Sequence, residues 1–226
     1  MTARSSRPDH EAQARKRFNS FSKSGTFERL KPWLEFQQRG VLERLDWSRV
    51  GSLLDVGCGS GWATVEAARN IDTADRGLVC GCDISVGMLA RGTCEADAGA
   101  LVGWSAASAQ ALPYRNDSFD AVMCTAAFHH FPAPHEALGE LLRVLRPGGF
   151  LRIAETCTDQ SFGTWLWDRW HRWFEPGHVR YYRRGELAEM ISSTGFAKVE
   201  VIELYGSFGA TRKLFRRAAL FEAVAP

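Results

Sequence analysis

The chain has 226 residues, a formal net charge of +2 at pH 7 and 45% hydrophobic residues. This length and composition suit one globular domain with a sizeable core, and the charge is too mild to indicate nucleic-acid binding by itself. No uninterrupted apolar run reaches the length of a membrane helix. The polar, basic stretch at residues 1–17 lacks the apolar centre of a secretory signal.

The N-terminal part of the chain is expected to contain a flexible segment followed by helices. Residues 1–14 are polar and charged, which is typical of a disordered terminus. Residues 15–45 carry aromatic and apolar anchors such as Phe18, Phe21 and Leu34. We expect them to form a helical N-terminal cap. This cap is predicted to be part of a single domain that includes all of residues 15–226.

An apolar run, an acidic residue and a glycine loop come next. Leu53–Val56 is followed by Gly57, Gly59 and Gly61, and a helical pattern begins at Ala63. A buried parallel strand that enters a helix through a glycine turn forms a ligand-binding crevice in α/β folds. The sequence therefore predicts a site for a nucleoside-type cofactor at this turn.

The spacing of the glycines argues against a dinucleotide. A dinucleotide fingerprint needs a small residue where this chain has Trp62, a side chain too large for close packing of helix against strand. The loop alone leaves open a purely structural turn in another Rossmann-like protein.

A second acidic residue ends the next apolar run. Leu78–Cys82 precedes Asp83, and a carboxylate at the tip of a strand can accept hydrogen bonds from both ribose hydroxyls of a nucleoside. Ile84 and Ser85 open a second helix, with Ser85 as a candidate N-cap and Met88 on its inner side. The alternative is an acidic helix-start residue favoured by the helix dipole.

The order of the motifs resembles that of the small-molecule methyltransferases related to ubiquinone and menaquinone biosynthesis enzymes, which are class I S-adenosylmethionine-dependent methyltransferases. The matching segments are LDVGCGSG, GCDIS, ALPYRNDSFDAVM, HHF and ELLRVLRPGGFL, which together cover about residues 50–155. The resemblance, together with the strand pattern, implies an α/β fold: a Rossmann-like, seven-stranded, mostly parallel sheet with helices on both faces and a C-terminal antiparallel hairpin.

The resemblance also implies S-adenosyl-L-methionine as cofactor and methyl transfer to an oxygen, nitrogen or carbon atom of a small-molecule acceptor. Ligands of open α/β sheets bind beyond the carboxyl ends of the strands. The residues expected to face the cofactor are Asp55, Gly57, Cys58, Gly59, Gly61, Asp83, Ile84, Met88, Ser108, Ala109, Gln110, Cys124 and Thr125.

One departure from the family pattern concerns the adenine ring. Family members often carry an acidic residue at the position of Ser108, where it contacts the adenine amino group. In this chain the hydroxyl of Ser108 or the backbone of Ala109 has to serve instead.

The candidate catalytic residues follow the fourth and fifth strands. His129 and His130 lie close to the expected position of the transferred methyl group, and an imidazole can accept a proton at neutral pH. His129 is therefore the candidate general base and His130 a supporting residue, while Glu155 can hold or assist a base. The two histidines also resemble a family helix-start feature, so a structural role stays open.

An aromatic insertion and a hairpin complete the chain. Residues 160–182 contain four tryptophans, which suit either a lid over the acceptor or a helix packed into the core. With the neighbouring arginines they suggest an aromatic or anionic acceptor. A helix over residues 184–193 and strands near residues 198–204 and 218–224 are expected to follow.

Several other properties follow from the cysteines and the basic segments. The scattered cysteines indicate reduced thiols in a cytoplasmic protein. Because Cys80 and Cys82 lack further ligands at metal spacing, no metal site is expected.

Two alternatives to a small-molecule methyltransferase stay open. One is a transfer-RNA wobble-uridine carboxylate methyltransferase, whose arginine-rich termini (Arg212 and Arg216 among them) track phosphates. The other is a non-catalytic cofactor-binding protein.

Overall fold

The computed structural model describes residues 7–23, 26–71, 77–95, 102–174, 177–205 and 217–226. In these ranges the strands are β1 Ser52–Val56, β2 Leu78–Asp83, β3 Val102–Ala106, β4 Phe119–Thr125, β5 Leu145–Glu155, β6 Ala197–Tyr205 and β7 Arg217–Val224. The helices are α1 Arg7–Phe21, α2 Thr26–Leu42, α3 Trp62–Asn70, α4 Val86–Glu95, α5 Pro134–Val144, α6 Phe162–Phe174 and α7 Arg184–Ser193. None of the helices described combines the length and apolarity that crossing a bilayer requires.

The strands form one sheet in the order β3-β2-β1-β4-β5-β7-β6. β1 pairs in parallel with β2 and β4, β2 pairs in parallel with β3, and β4 pairs in parallel with β5. β7 runs antiparallel between β5 and β6. The predicted Rossmann-like, mostly parallel sheet with a C-terminal antiparallel hairpin is therefore confirmed.

Helices cover both faces of the sheet because β1 points its side chains alternately to each of them. Leu53 packs in a core with Val41 of α2 and Ala67 of α3. Leu54 packs in a second core, on the other face, with Leu138 of α5. A strand covered on both sides tends to be apolar at successive positions, as Leu53 and Leu54 are.

The first helix begins earlier than the sequence suggests. The flexible segment was expected to extend to residue 14, but α1 begins at Arg7, whereas residues 1–6 lie outside the described part of the chain. Tertiary contacts account for the difference. Ala14 is buried, and a Cβ added to Gly177 would lie 2.9 Å from the Ala14 Cα. The packing of α1 on the domain, which no local sequence pattern reveals, therefore supports the helix.

Asp120 joins three elements at the amino end of β4. Its carboxylate accepts hydrogen bonds from the backbone N–H and the hydroxyl of Ser52, each at 2.8 Å, and from the guanidinium of Arg146 at 2.5 Å. Burial raises the pKa of Asp120, but the hydrogen bonds from Arg146 and Ser52 outweigh this effect and hold the pKa below its usual value.

Asp120→Asn is expected to lower the free energy of unfolding by about 1–3 kcal/mol at neutral pH, because it removes a charged acceptor from several donors. A carboxyl whose pKa is depressed in the folded state stabilises the protein above its unfolded pKa of about 3.9, and that contribution is lost as the pH falls through the folded pKa. In urea unfolding, the difference between wild type and variant should therefore shrink towards acid pH. Asp117→Asn, at an exposed position, is the matched control, and an equal Asp120 effect at every pH would contradict the assignment.

Candidate functional site

A cavity of about 750 Å³ lies at the carboxyl ends of β1, β2 and β4. The turn after β1 and the ends of these strands form its base. The helices α1, α2 and α6 form its walls, with Phe18, Phe21, Leu34 and Trp167 among the lining side chains. The volume is in the range of small-molecule sites, and its mostly apolar lining with a few polar groups is typical of them.

Most of the residues predicted to face a cofactor line this one cavity. They are Gly57, Cys58, Gly59, Asp83, Ile84, Met88, Ser108, Ala109, Gln110 and Thr125. The topology brings them together because parallel strands deliver the chain to the same edge of the sheet.

Three of the predicted residues do not line the cavity. Asp55 is fully buried and accepts a hydrogen bond from the Thr64 hydroxyl at 2.7 Å, which ties β1 to α3, and burial raises its pKa to about 7. Gly61 precedes α3, and a Cβ there would lie 2.1 Å from the ring of Trp104. Cys124 is fully buried in the core. These residues support the site through the packing beneath it.

Gly57 turns the chain directly against the end of β4. Its φ is +73°, and an added Cβ would lie 2.4 Å from the Cβ of Ala127. A residue with a side chain is disfavoured there both by the backbone conformation and by the lack of space. The turn therefore presents bare backbone to the cavity.

Asp83 is held at the end of β2 by two backbone donors. Its Oδ2 accepts a hydrogen bond from the Gly59 N–H at 2.9 Å, and its Oδ1 accepts one from the Ser85 N–H at 2.8 Å. Burial raises the pKa of Asp83, and the two hydrogen bonds oppose this shift. Each carboxylate oxygen keeps a further lone pair for a ligand in the cavity. The helix-start interaction and the ligand-facing position that the sequence left as alternatives therefore occur in the same side chain.

Glu11 is a cavity-lining residue that the sequence did not reveal. The Ser108 hydroxyl lies 2.7 Å from the Glu11 carboxylate and accepts a hydrogen bond from the Gln110 N–H at 3.1 Å. Helix α1 thus brings a carboxylate to the position where Ser108 departs from the family pattern. No sequence signal indicated this, because Glu11 falls in the segment that was expected to be flexible.

His129 and Glu155 form a buried pair after β4 and β5. Nδ1 of His129 lies 2.9 Å from Oε2 of Glu155. Burial raises the pKa of Glu155 to about 8. Burial, reinforced by the neighbouring His178, lowers the pKa of His129 well below its usual value. His129 lines the cavity and Glu155 does not, so the carboxyl group orients the ring from behind.

Further polar side chains surround this pair. Nδ1 of His130 donates a hydrogen bond to the Gly177 carbonyl at 2.8 Å. His171 and Tyr181 line the cavity, on the side of the insertion. Burial lowers the pKa of His171 to about 4. The polar residues on this side of the cavity therefore come from the turn after β4, from α6 and from the segment after α6.

The tryptophans of α6 are not core residues. Trp165, Trp167, Trp170 and Trp173 are 43%, 53%, 51% and 79% exposed, and Trp167 also lines the cavity. The guanidinium of Arg169 lies over the exposed Trp165 ring, 5.6 Å from its centroid. The inner face of α6 thus forms a cavity wall, and its outer face carries the aromatic and basic residues that the sequence suggested for core packing or acceptor binding.

Comparisons with known proteins agree with this geometry. A protein-family model described as a methyltransferase domain matches residues 54–153. The O-methyltransferase resE of Aspergillus sclerotiorum is 30% identical over 82% of this chain and 70% of its own length. The ubiquinone/menaquinone biosynthesis C-methyltransferase UbiE of Geobacter sulfurreducens is 32% identical over 55% of this chain and 49% of its own. The chain spans about half the length of several of the curated relatives it matches.

A solved structure shares the fold. The N-methyltransferase NodS of Bradyrhizobium japonicum WM9, solved in complex with S-adenosyl-l-homocysteine, superposes with a TM-score of 0.72. The alignment covers 95% of this chain and 99% of NodS at 16% identity. At that level of identity the likeness concerns the architecture alone.

Gly57→Ala is expected to destabilise the protein by about 2–4 kcal/mol, because it combines a positive φ with overpacking against Ala127. Thermal unfolding followed by circular dichroism measures the effect. Gly139→Ala is the matched control, since a Cβ at this position inside α5 meets nothing within 4 Å and alanine favours a helix. Equal melting temperatures for the Gly57 variant and wild type would contradict the steric argument.

Proposed function

Because the chain belongs to the class I S-adenosylmethionine-dependent methyltransferases, we propose that it transfers a methyl group from S-adenosyl-L-methionine to a small-molecule acceptor. One observation carries the proposal. A glycine turn and the Asp83 carboxylate share a single cavity with His129 and an apolar wall. S-adenosylmethionine supplies a methyl group activated by a sulfonium centre, so the protein's task is positioning, exclusion of water and proton handling.

The residues at the base of the cavity fit this cofactor. The turn at Gly57 leaves free the volume that a Cβ would fill. Asp83 offers lone pairs to the ribose hydroxyls, and Ile84 and Met88 offer apolar surface to the adenine ring. We assign Glu11, beside Ser108, the role of accepting a hydrogen bond from the adenine amino group. The S-adenosylhomocysteine named in the NodS structure supports the choice of cofactor.

The walls of the cavity favour an aromatic acceptor. Phe18, Phe21 and Trp167 supply flat apolar surface. Arg17 also lines the cavity, so an anionic group on the acceptor would meet a positive charge from α1. The volume of the cavity supports a small-molecule acceptor. The transfer-RNA alternative assigned phosphate contacts to Arg212 and Arg216, and these two residues lie outside the described part of the chain.

His129 is the proposed base for an acceptor that must lose a proton. Its Nδ1 is engaged by Glu155, so Nε2 is the nitrogen available to the cavity. Once Glu155 is ionised, which its raised pKa of about 8 places at mildly alkaline pH, Nε2 takes the proton of an acceptor hydroxyl and the carboxylate stabilises the resulting imidazolium. His130 lies beside it, with a ring-centroid separation of 4.0 Å, and supports the position of the ring. An amine acceptor that is already neutral does not need this base.

The cysteines support a reducing compartment such as the cytoplasm. The free cysteines among the described residues are Cys58, Cys80, Cys82, Cys124 and Cys157, and each is buried. Unpaired thiols are the usual state where glutathione keeps proteins reduced.

Cofactor binding is tested by calorimetric titration with S-adenosylmethionine and S-adenosylhomocysteine. Asp83→Asn and Glu11→Gln are each expected to weaken binding by about 10-fold or more, because each removes a charged acceptor of a hydrogen bond. Glu43→Gln, an exposed position after α2, should bind as wild type does. Wild-type affinity in the Glu11 variant would contradict its adenine role, and a wild-type chain that binds neither compound would contradict the proposed cofactor.

The base is tested with hydroxylated aromatic compounds screened for release of S-adenosylhomocysteine. His129→Ala is expected to lower kcat by about 10²–10⁴-fold while the affinity for S-adenosylmethionine stays near that of wild type. Glu155→Gln should cause a smaller loss. His135→Ala, an exposed histidine of α5, controls for the loss of an imidazole. Near-normal turnover of the His129 variant at saturating substrate would rule out the base.

A further inference from the structure

Three imidazole rings from two separate parts of the chain meet at the wall of the cavity. His129 and His130 come from the turn after β4, and His178 comes from the segment after α6. One ligand nitrogen from each ring lies within 4.8 Å of the corresponding nitrogen of the other two. Backbone hydrogen bonds hold the two segments together, since the N–H groups of Val179 and Arg180 donate to the His129 carbonyl at 3.1 and 3.3 Å.

One nitrogen of each ring is engaged by a hydrogen-bond partner outside the cluster. Nδ1 of His130 donates to the Gly177 carbonyl, which accepts only. Nε2 of His178 lies 3.1 Å from Oδ1 of Asp168. Oδ1 of Asp168 also accepts a hydrogen bond from the Tyr181 N–H, and its Oδ2 is paired with the Arg172 guanidinium, so this carboxylate accepts from His178. Nδ1 of His129 lies 2.9 Å from Oε2 of Glu155 and donates to this carboxyl group when Glu155 is ionised.

These hydrogen bonds decide what the three rings present to one another. A neutral imidazole that donates through one nitrogen carries a lone pair on the other. With Glu155 ionised, each ring keeps one nitrogen lone pair for a ligand, and one nitrogen of each ring lies within 4.8 Å of those of the other two. Nδ1 of His178 is buried and has no hydrogen-bond partner among the described residues. A buried acceptor left in this state is unfavourable, and a metal cation is a group that satisfies several nitrogen lone pairs at once.

We propose that His129, His130 and His178 bind one divalent transition-metal ion, with Zn²⁺ as the best match to three neutral imidazoles. Metal-bound histidines typically donate their other N–H to a carboxylate or a backbone carbonyl, and all three rings here have such a partner. Three protein ligands leave a fourth coordination position. His129 and His130 line the cavity, so that position faces the space assigned to the acceptor.

The rings have to close slightly around the ion. Zinc bonds to imidazole nitrogen of about 2.0–2.1 Å place tetrahedral ligand atoms roughly 3.4 Å apart, so the cluster contracts on binding. The sequence-based expectation of no metal site rested on the cysteines, and His178 becomes a neighbour of His129 and His130 only in the folded chain. A bound ion also uses the Nε2 lone pair of His129, so metal loading and the base role exclude each other. That consequence, unlike the site itself, rests on the proposed function.

The test uses the untagged full-length chain, stripped with a chelator and titrated with Co²⁺ at mildly alkaline pH, where metal ligands lose competing protons. We expect one Co²⁺ per chain, the visible absorption bands of a four-coordinate site, and displacement of Co²⁺ by Zn²⁺. His178→Ala and His130→Ala should each weaken the affinity by at least about 100-fold. His135→Ala, outside the cluster and exposed, should leave it unchanged.

Each result decides the proposal without any measurement of turnover. Far-UV circular dichroism shows whether each variant is folded. His178 is buried. If its variant does not fold, the Co²⁺ affinity of the His130→Ala variant, at a half-buried position, tests the site. Absence of stoichiometric Co²⁺ binding by the wild type would overturn the site, as would Co²⁺ binding that folded His130 and His178 variants retain. If the wild-type chain binds no metal but transfers methyl groups, this inference fails and the proposed function stands.

Discussion

The parallel pairing of β1 with both of its neighbours is the constraint on which the rest of the site depends. Asp55 of β1 pairs with Gly81 of β2 and with Met123 of β4, so the three strands end together. The chain has to leave the sheet at this edge in three neighbouring places. Close approach of the turn after β1 to β4 then requires glycine at position 57, and the same crowding forms the base of the cavity.

Helix α1 turns this open edge into an enclosed site. Asn19 accepts hydrogen bonds from the Ser85 hydroxyl and the Gly87 N–H, each at 2.8 Å, which fixes α1 to the start of α4. Phe18 contacts the edge of His130 at a centroid distance of 5.0 Å. The helix therefore spans the cavity from the side proposed for the cofactor, to which it brings Glu11, to the side proposed for the acceptor.

Enclosure has an electrostatic consequence for the polar groups at the site. Burial disfavours the charged form of every ionisable group, which is why the pKa of Glu155 is raised and the pKa of His129 is lowered. Hydrogen bonds offset this cost where a partner is present, as they do for Asp83 and Asp168. The neutral imidazoles that result are the forms that accept protons or bind metal ions.

The sequence by itself determined the elements whose signals are local. The apolar run of β1, the glycine turn and the acid at position 83 predicted the fold and the cofactor edge, because strand burial and turn geometry depend on neighbouring residues. Only the tertiary structure decided what reaches that edge from a distance. Glu11 and His178 lie far along the chain from Ser108 and His129. Their positions follow from the packing of α1 and α6, and such long-range packing produces no local pattern in the sequence.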